Sequence, residues 1–177
     1  MATQGHGAAG QALGYFHQCM WAVVELGRRA AAEPSVELRL EALDDIQFDD
    51  HGSPRELLQT KHHIGAAGSI TTNSTDLWRT LNVWLDLGNT RNLVLRLVTT
   101  QRIPDDSPLQ GLRIGADRDT PEVRAALVSA ATHSDNSVTA RWRQKFLDLG
   151  STAQEELIDQ IYIDDRSSQA PEFDQEL

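Results

Sequence analysis

The first feature of the chain is a periodic stretch of apolar residues between positions 11 and 31. Their spacing of three and four residues places them on one side of a helix. They are Leu13, Phe16, Met20, either Val23 or Val24, and Gly27. The pattern predicts an amphipathic helix, which Pro34 ends because proline cannot continue a helical turn.

Three short segments follow in which apolar and polar residues alternate with a period of two. Val36–Leu40 and Asp45–Asp49 show this alternation, and Glu56–His62 shows it again. Side chains of a strand point alternately to its two faces, so the pattern is typical of half-buried strands. Asp50–Pro54 contains glycine, proline and short polar residues, which favour a turn. The second and third strands are therefore predicted to form a hairpin.

The middle of the chain predicts a second helix and a central strand. Thr72–Thr75 supplies N-cap residues for an apolar helix that Gly88 can end. Trp78 and Trp84 lie among leucines on this helix, and we expect both in the core. Asn92–Thr99 is apolar almost throughout, as in a strand covered on both faces.

Further helices and one short strand are predicted in the last third of the chain. The helical segments are Pro121–Thr132, Ser137–Leu149 and Ala153–Ile158, and the strand is Ile161–Ile163. The order of elements is helix, strand, strand, strand, helix, strand, followed by a helical extension. This order predicts an α/β fold with an α-β-β-β-α-β core, in which helices flank a central mixed sheet.

The composition fits one globular domain. The chain has 177 residues, of which 40% are hydrophobic and 24% are charged. We expect the domain to span residues 1–163. The single cysteine, Cys19, excludes an internal disulfide. Neither a membrane span nor the apolar core of a signal peptide is recognisable, which favours a cytoplasmic protein without membrane contact.

The net charge of −10 weighs against nucleic-acid binding, but the charge is unevenly distributed. Eight of the 26 acidic residues lie between Glu155 and Glu176, with Arg166 as the only basic residue among them. The preceding 154 residues carry 18 acidic and 15 basic residues. Residues 164–177 are interpreted as an acidic disordered tail, or as a linker to a further module. The body of the chain is nearly balanced in charge.

Acidic, amide and amine side chains are predicted to converge at the hairpin. Asp44 and Asp45 lie at the start of its first strand, with Glu41 shortly before them, and Gln59 and Lys61 lie on its second strand. Gln59 and Lys61 are two residues apart and share a face of the strand. Phosphodiester hydrolysis requires a divalent cation held by oxygen atoms, an activated water and positive charge near the phosphate. These residue types could provide that chemistry.

Lysine is scarce in this chain, which singles out Lys61. Lys61 and Lys145 are the only lysines, against 14 arginines. An ammonium group can exchange a proton with water, whereas a guanidinium remains protonated. A lysine on a strand beside carboxylates is therefore a candidate for positioning or activating a water molecule.

The order of these residues resembles a known nuclease superfamily. The segments Glu41-x-x-Asp44-Asp45-Ile46 and Leu58-Gln59-x-Lys61-His62 look like the PD-(D/E)xK motif, in the variant in which glutamine replaces the second acid. Gly14-Tyr15-x-x-Gln18 on the first helix and the Leu-Val-Thr-Thr strand ending at Thr100 are similar to the double-stranded DNA endonuclease domains of bacterial antiphage effectors, including CBASS effectors. The resemblance covers roughly residues 10–100.

This resemblance implies a restriction-endonuclease-like fold and Mg²⁺- or Mn²⁺-dependent cleavage of double-stranded DNA. It also implies a sensor or regulatory module outside this chain as a partner. Nucleases of this kind place one active site on each DNA strand, which favours a homo-oligomer. The same chemistry would also permit cleavage of RNA or of single strands.

The resemblance also assigns roles to residues. Asp45 would be the main metal ligand, Gln59 would add an oxygen ligand, and Lys61 would position the attacking water. Glu41 is a candidate second ligand. Asp44 is an alternative to Asp45, which is preferred because it directly precedes the apolar register that starts at Ile46.

Two further groups of residues are candidates for supporting roles. Gln18 and Glu25 are seven residues apart on the first helix and share a face. The resemblance implies that this face borders the metal site. The densest basic segment contains Arg141, Arg143 and Lys145, and it is a candidate for contacts with a DNA backbone. A solvated helix face explains this basic segment nearly as well.

A binding function without catalysis is the principal alternative. Adjacent aspartates are common in turns, and glutamine in place of an acid weakens a metal site. In this alternative the nuclease fold would serve in DNA docking or in assembly.

Overall fold

The computed structural model of the protein describes residues 5–61 and 68–166, so His62 and residues 167–177 of the predicted tail lie outside the described residues. At the start of that predicted tail, Asp164 ends the last strand and Asp165 accepts a hydrogen bond from Arg113. The helices in the described part of the chain are α1 Gly5–Ala30, α2 Thr75–Asp86, α3 Thr120–His133, α4 Ala140–Leu147 and α5 Ser151–Gln160. The strands within these residues are β1 Val36–Leu40, β2 Ile46–Asp50, β3 Ser53–Lys61, β4 Val94–Thr99 and β5 Ile161–Asp164. A short 3₁₀ helix covers Pro108–Leu112.

The strands form one mixed sheet in the order β1-β2-β3-β4-β5. The first three strands pair antiparallel, and β3, β4 and β5 pair parallel. The hairpin between β2 and β3 turns at His51 and Gly52, both of which have a positive φ. The α/β class with a mixed sheet flanked by helices is therefore confirmed, and the helical extension after β4 is present as predicted.

Helix α1 covers one face of the sheet, and it does so with a different side from the one its apolar residues suggested. Trp21 and Ala22 are buried against apolar residues of β2, β3 and β4. Phe16 and Val23, members of the predicted apolar stripe, are 60% and 62% exposed. The buried side of α1 also contains the polar residues Gln18 and Glu25, which bind the backbone carbonyl of Asp45 and the guanidinium of Arg96.

The other face of the sheet carries the larger core. Helix α2 places Trp78 and Trp84 in this core with almost no exposed surface, as predicted. Helices α3, α4 and α5 complete the layer, and Phe146 of α4 meets Trp78 edge to face at 5.8 Å between ring centroids. None of the helices in the described segments is long and apolar enough to span a membrane.

At one end of the sheet, here called the edge, β3 finishes, β2 begins and α2 has its N-terminus. Helix α2 connects the parallel strands β3 and β4, so its N-terminus returns to the end of the sheet where β3 finishes. Strand β2 is antiparallel to β3 and therefore begins at this same end. Open α/β sheets commonly bind ligands at the carboxyl ends of their parallel strands.

Candidate active site

Asp45 lies at the start of β2, next to the end of β3. Ile46 pairs with Leu58, so the antiparallel register places Asp45 opposite Gln59. One carboxylate oxygen of Asp45, Oδ2, accepts hydrogen bonds from the backbone N–H of Thr60 at 2.8 Å and from its hydroxyl at 3.0 Å. These bonds hold the Asp45 carboxylate at the end of the hairpin.

Gln59 is buried on β3 across from Asp45. Only 5% of its surface is exposed. Its Oε1 atom is buried and accepts no hydrogen bond from any group in the described part of the chain. A buried carbonyl oxygen without a donor is costly, and a bound cation is one kind of partner that would satisfy it.

Lys61 ends β3 in a partly buried position between several charges. Burial lowers the pKa of Lys61 below its ordinary value, and nearby Arg79 adds to this effect. The carboxylates of Asp45, Asp76 and Asp44 oppose the shift by favouring the charged ammonium. The structure therefore brings Lys61 within electrostatic reach of both aspartates at the start of β2.

Asp44 is buried beneath α2 and has structural partners. Its Oδ2 atom accepts a hydrogen bond of 2.6 Å from the indole N–H of Trp84, and its Oδ1 atom accepts one of 2.9 Å from the backbone N–H of Asp45. Burial raises the pKa of Asp44 to about 6, although these hydrogen bonds act in the opposite direction. Asp44 thus anchors β2 to α2, and both of its carboxylate oxygens are engaged in hydrogen bonds within the protein.

The raised pKa of Asp44 predicts a specific dependence of stability on pH. Between its ordinary pKa of 3.8 and its folded value of about 6, the folded state holds a proton that the unfolded state has released. The contribution of Asp44 to stability therefore falls as pH rises through this window, by up to about 3 kcal/mol, and is constant above it. Asp44→Asn removes this titration.

Urea unfolding of wild type and Asp44→Asn at about pH 4 and about pH 7 measures the effect. The other titrating groups are common to both proteins and cancel in the difference. The free energy of unfolding of Asp44→Asn minus that of wild type is expected to be larger at about pH 7 than at about pH 4, because only wild type loses stability as Asp44 ionises. An equal difference at both pH values would contradict the assigned pKa.

Gln18 links α1 to the start of β2. Its side-chain N–H group donates to Oε1 of Glu41 at 2.9 Å and also to the backbone carbonyl of Asp45. Glu41 is exposed and has a φ of 52°, in the left-handed region. Gln18 and Glu41 therefore border Asp45 from the α1 side, opposite α2.

Glu25 occupies a different place. It shares the buried face of α1 with Gln18, but its carboxylate accepts hydrogen bonds from Arg28 at 2.9 Å, Arg29 at 3.2 Å and Arg96 at 2.8 Å. Arg96 also binds Asp164 at 2.7 Å. Together these residues form a buried ionic cluster that attaches α1 to the sheet.

This cluster is remote from the end of β3. Glu56 belongs to it through a 2.8 Å ion pair with Arg29, and it lies five residues before Lys61 on β3. That separation is about 16 Å along a strand, and an odd spacing puts the two side chains on opposite faces. The structure therefore does not bring Glu25 to the residues around Asp45.

The three basic residues of α4 have different environments. Arg143 is buried and donates to the carbonyls of Ala131 and Asn136 at 2.8 and 2.9 Å. Lys145 is paired with Asp86 at 2.5 Å. Arg141 is exposed. Of the three, Arg141 alone presents its charge at the surface without such a bond in the described segments.

Two residues of α2 that the sequence pattern did not single out lie at the candidate site. Asp76 and Arg79 both act electrostatically on Lys61. They are three residues apart in the first turns of α2 and so share a side of the helix. The signal that could have found them is topological, because a helix connecting parallel strands begins at the end where the first of them finishes.

A divalent cation would have oxygen ligands at this edge. Within residues 5–61 and 68–166, no group of three His, Cys, Asp or Glu side chains is arranged to hold a metal. A cation here would depend on the Asp45 carboxylate together with the Gln59 amide oxygen. Glutamine is not one of those four residue types, so such a pair does not count as a group of this kind. Both are hard oxygen donors, and the unpartnered Oε1 of Gln59 fits Mg²⁺ or Mn²⁺.

Comparison of the chain with models of protein families, with curated proteins and with solved structures found no match in any of the three.

Proposed function

We propose that this protein is a metal-dependent endonuclease of the PD-(D/E)xK superfamily, in its QxK variant, that hydrolyses phosphodiester bonds of double-stranded DNA. The observation that carries the proposal is the placement of Lys61 beside Asp45, with the unpartnered oxygen of Gln59 opposite Asp45 in the hairpin register. The element order α-β-β-β-α-β supports it, since the resemblance implies this core.

The residues at the edge divide the chemistry between them. Mg²⁺ or Mn²⁺, when bound, would supply the Lewis acid that polarises the phosphate and acidifies a water. Asp45 and Gln59 would hold it, and Thr60 orients Asp45 through its two hydrogen bonds. Lys61 would orient the attacking water and place positive charge near the phosphate, and its lowered pKa eases proton exchange.

Glu41 has a secondary place in this proposal. It is exposed and is held by Gln18, whose amide also fixes the backbone of Asp45. A carboxylate in this position is able to contribute a further ligand through a water molecule. Gln18 is accordingly a positioning residue for both acids.

A basic and aromatic surface adjoins this edge. Arg79 is exposed and lies 5.9 Å from the ring centroid of Trp142 on the neighbouring helix α4. Arg141 is exposed on the same helix. Exposed arginines beside an aromatic ring suit contacts with phosphates and sugars. We propose that Arg79 and Arg141 bind the DNA backbone, and that Arg143 maintains the fold of α3 and α4.

The biological setting is proposed from the resemblance stated above. The domain would be the effector of a bacterial antiphage defence protein in the cytoplasm, controlled by a sensor module outside this chain. Cutting both strands requires two active sites, so the active form would be a homo-oligomer. A nuclease fold retained for docking or assembly without catalysis is the second candidate. It is favoured because no three His, Cys, Asp or Glu side chains of the described residues are arranged to hold a metal.

The test of the proposed activity is plasmid cleavage by wild type and by Asp45→Asn. Asparagine keeps the size of the side chain and can still accept from Thr60, but it lacks the charge that a cation needs. Wild type at high concentration is expected to degrade plasmid with Mg²⁺ or Mn²⁺ and not with EDTA. Asp45→Asn should lose at least about 100-fold of this rate.

Asp50→Asn is a matched control, because Asp50 lies at the far end of β2 and pairs with Arg55. It should cut at the wild-type rate. Cutting by Asp45→Asn at that rate would reject the proposed metal site, whereas cutting that persists in EDTA would reject metal dependence.

A further inference from the structure

An open cleft of about 420 Å³ lies between the segment preceding α2 and the C-terminal half of α3. Its volume falls in the range of small-ligand sites, roughly 300–1,000 Å³. The side chains that line it are small or polar. The polar ones are Thr72, Asn73, Ser129, His133 and Ser134, and two alanines complete the lining.

The cleft adjoins the candidate active site. Thr72 and Asn73 lie just before α2, and Asp76 in the first turn of α2 acts on Lys61. The N-terminus of α2 is at the end of the sheet where β3 finishes. A nucleic acid strand bound at Lys61 would therefore pass near the mouth of the cleft.

The residues that line the cleft indicate which class of ligand it would bind. Among the described residues, it includes no lysine, arginine, aspartate or glutamate, so it lacks the charges that bind a phosphate or a metal ion. Hydroxyl, amide and imidazole groups can each donate or accept a hydrogen bond. The alanines leave space between them. This combination suits a flat, neutral group with donors and acceptors along its edge, which describes a nucleobase.

His133 adds a directional feature. Its Nδ1 atom lies 2.9 Å from the carbonyl oxygen of Ser129, one turn earlier on α3. A carbonyl oxygen only accepts, so Nδ1 carries the hydrogen of this bond, and a neutral ring then presents Nε2 as an acceptor. An acceptor at this position matches the exocyclic amine or ring N–H of a base.

The walls of the cleft are held in place from behind. The indole N–H of Trp78 donates to the carbonyl of Thr72 at 2.8 Å. Arg143 donates to the carbonyls of Ala131 and Asn136, which flank the end of α3. The cleft is therefore formed before a ligand arrives, which reduces the entropic cost of binding.

From these observations we infer that the cleft binds one unpaired nucleobase of the nucleic acid substrate, next to the position of cleavage. This inference rests on the proposed nuclease function, because it assigns the substrate a nucleotide that is displaced from pairing. The wall residues read the edge of the base, and the sugar and phosphate stay outside. Enzymes that accommodate displaced bases recognise them by hydrogen bonds to the base edge in this way.

The test is a binding measurement in EDTA, where cutting is blocked. Three fluorescent DNA duplexes are compared: one fully paired, one with a single unpaired nucleotide, and one with an unpaired abasic site. Wild type is expected to bind the unpaired nucleotide at least about tenfold more tightly than the abasic site, as expected for hydrogen bonds to a base edge. Equal affinity for these two duplexes would overturn the inference.

Two neighbouring alanines of α3 give a matched pair of variants. Ala126 lines the cleft and Ala125 is exposed outside it, so Ala126→Leu adds bulk to the lining of the cleft and Ala125→Leu does not. Ala126→Leu should abolish the preference for the unpaired base, and Ala125→Leu should retain it. Asn73→Ala, on the opposite wall, should weaken the preference without adding bulk, and it replaces Ala126→Leu if that variant does not fold. Loss of the preference in Ala125→Leu, or its retention in both cleft variants, would overturn the inference.

Free deoxynucleosides test whether the cleft binds a base only as part of a DNA strand or also as a separate small molecule. In NMR spectra, the resonances of the His133 ring in wild type should not shift when free nucleoside is added at concentrations above the dissociation constant of the duplex with the unpaired nucleotide. Shifts with free nucleosides, without a preference for the unpaired duplex, would overturn the assignment to the substrate strand. The binding assay is independent of cleavage. A protein that prefers the base but never cuts DNA would contradict the proposed function and not the base site.

Discussion

Replacing Lys61 with alanine is expected to reduce metal-dependent plasmid cleavage by at least about 100-fold, the usual contribution of a group that assists proton transfer. The reason is its position: the ammonium group lies near Asp45, is partly buried, and has a lowered pKa. Removal of the side chain leaves the carboxylate in place but removes the charge that would orient water and face the phosphate. Binding of Mn²⁺ should persist, because the ammonium is not a ligand.

The control is the only other lysine of the chain. Lys145 is paired with Asp86 and bonded to Asn82 on the surface between α2 and α4. Lys145→Ala is expected to cut at close to the wild-type rate. Lys61→Arg should remain impaired, since a guanidinium holds its proton and has a different shape. Wild-type cutting by Lys61→Ala, with the fold verified by circular dichroism, would reject the role assigned to this lysine.

Replacing Arg96 with alanine is expected to lower the free energy of unfolding by about 3–5 kcal/mol, the cost of breaking a buried ion pair from one side. Arg96 lies on the central strand β4 and binds Glu25 at 2.8 Å and Asp164 at 2.7 Å. Its positive charge contributes to holding the pKa of Glu25 below its usual value. Without it, a carboxylate that is almost fully buried loses a principal partner, and α1 loses an attachment to the sheet.

Urea unfolding measures this loss, and an exposed ion pair provides the control. Arg91 pairs with Glu156 at 3.5 Å, and both side chains are mostly exposed. Arg91→Ala should change the free energy of unfolding by less than about 0.5 kcal/mol, as surface pairs contribute little. A loss of similar size in both variants would contradict the buried ionic cluster as the attachment of α1.

Most of the fold could be predicted from local patterns. The alternation in Val36–Leu40 and the apolar run before Thr99 identified strands because burial on one or both faces leaves a direct record in the sequence. Trp78 and Trp84 were predicted as core residues for the same reason, and both are fully buried. The hairpin of β2 and β3 and the mixed character of the sheet were also predicted, whereas the order of all five strands was not.

The orientation of α1 could not be predicted in this way. Its apolar stripe includes Phe16 and Val23, which are exposed, while Gln18 and Glu25 are buried. The rule that the apolar side packs inward fails here because the sheet beneath α1 presents Arg96 and the backbone of the hairpin. Polar residues of α1 are required to satisfy these groups, and no local pattern reveals that requirement.

The sequence indicated the candidate residues that the hairpin brings together. It did not indicate those that reach the site through tertiary structure. The predicted hairpin implied that Gln59 would lie near the acidic residues, and the register of β2 and β3 places it opposite Asp45. Asp76 and Arg79 reach Lys61 only because α2 crosses back over the sheet. The same limitation explains Glu25, which shares a helix face with Gln18 but meets Arg96 instead of the hairpin end.

The most direct test of the proposed metal site is a calorimetric titration of wild type and Asp45→Asn with Mn²⁺. The cation is expected to bind wild type at the edge formed by Asp45 and Gln59, and this binding should be absent from Asp45→Asn. The same titration should be unchanged in Lys61→Ala. Failure of wild type to take up Mn²⁺ would contradict the metal-dependent nuclease and favour a fold that serves in docking or assembly.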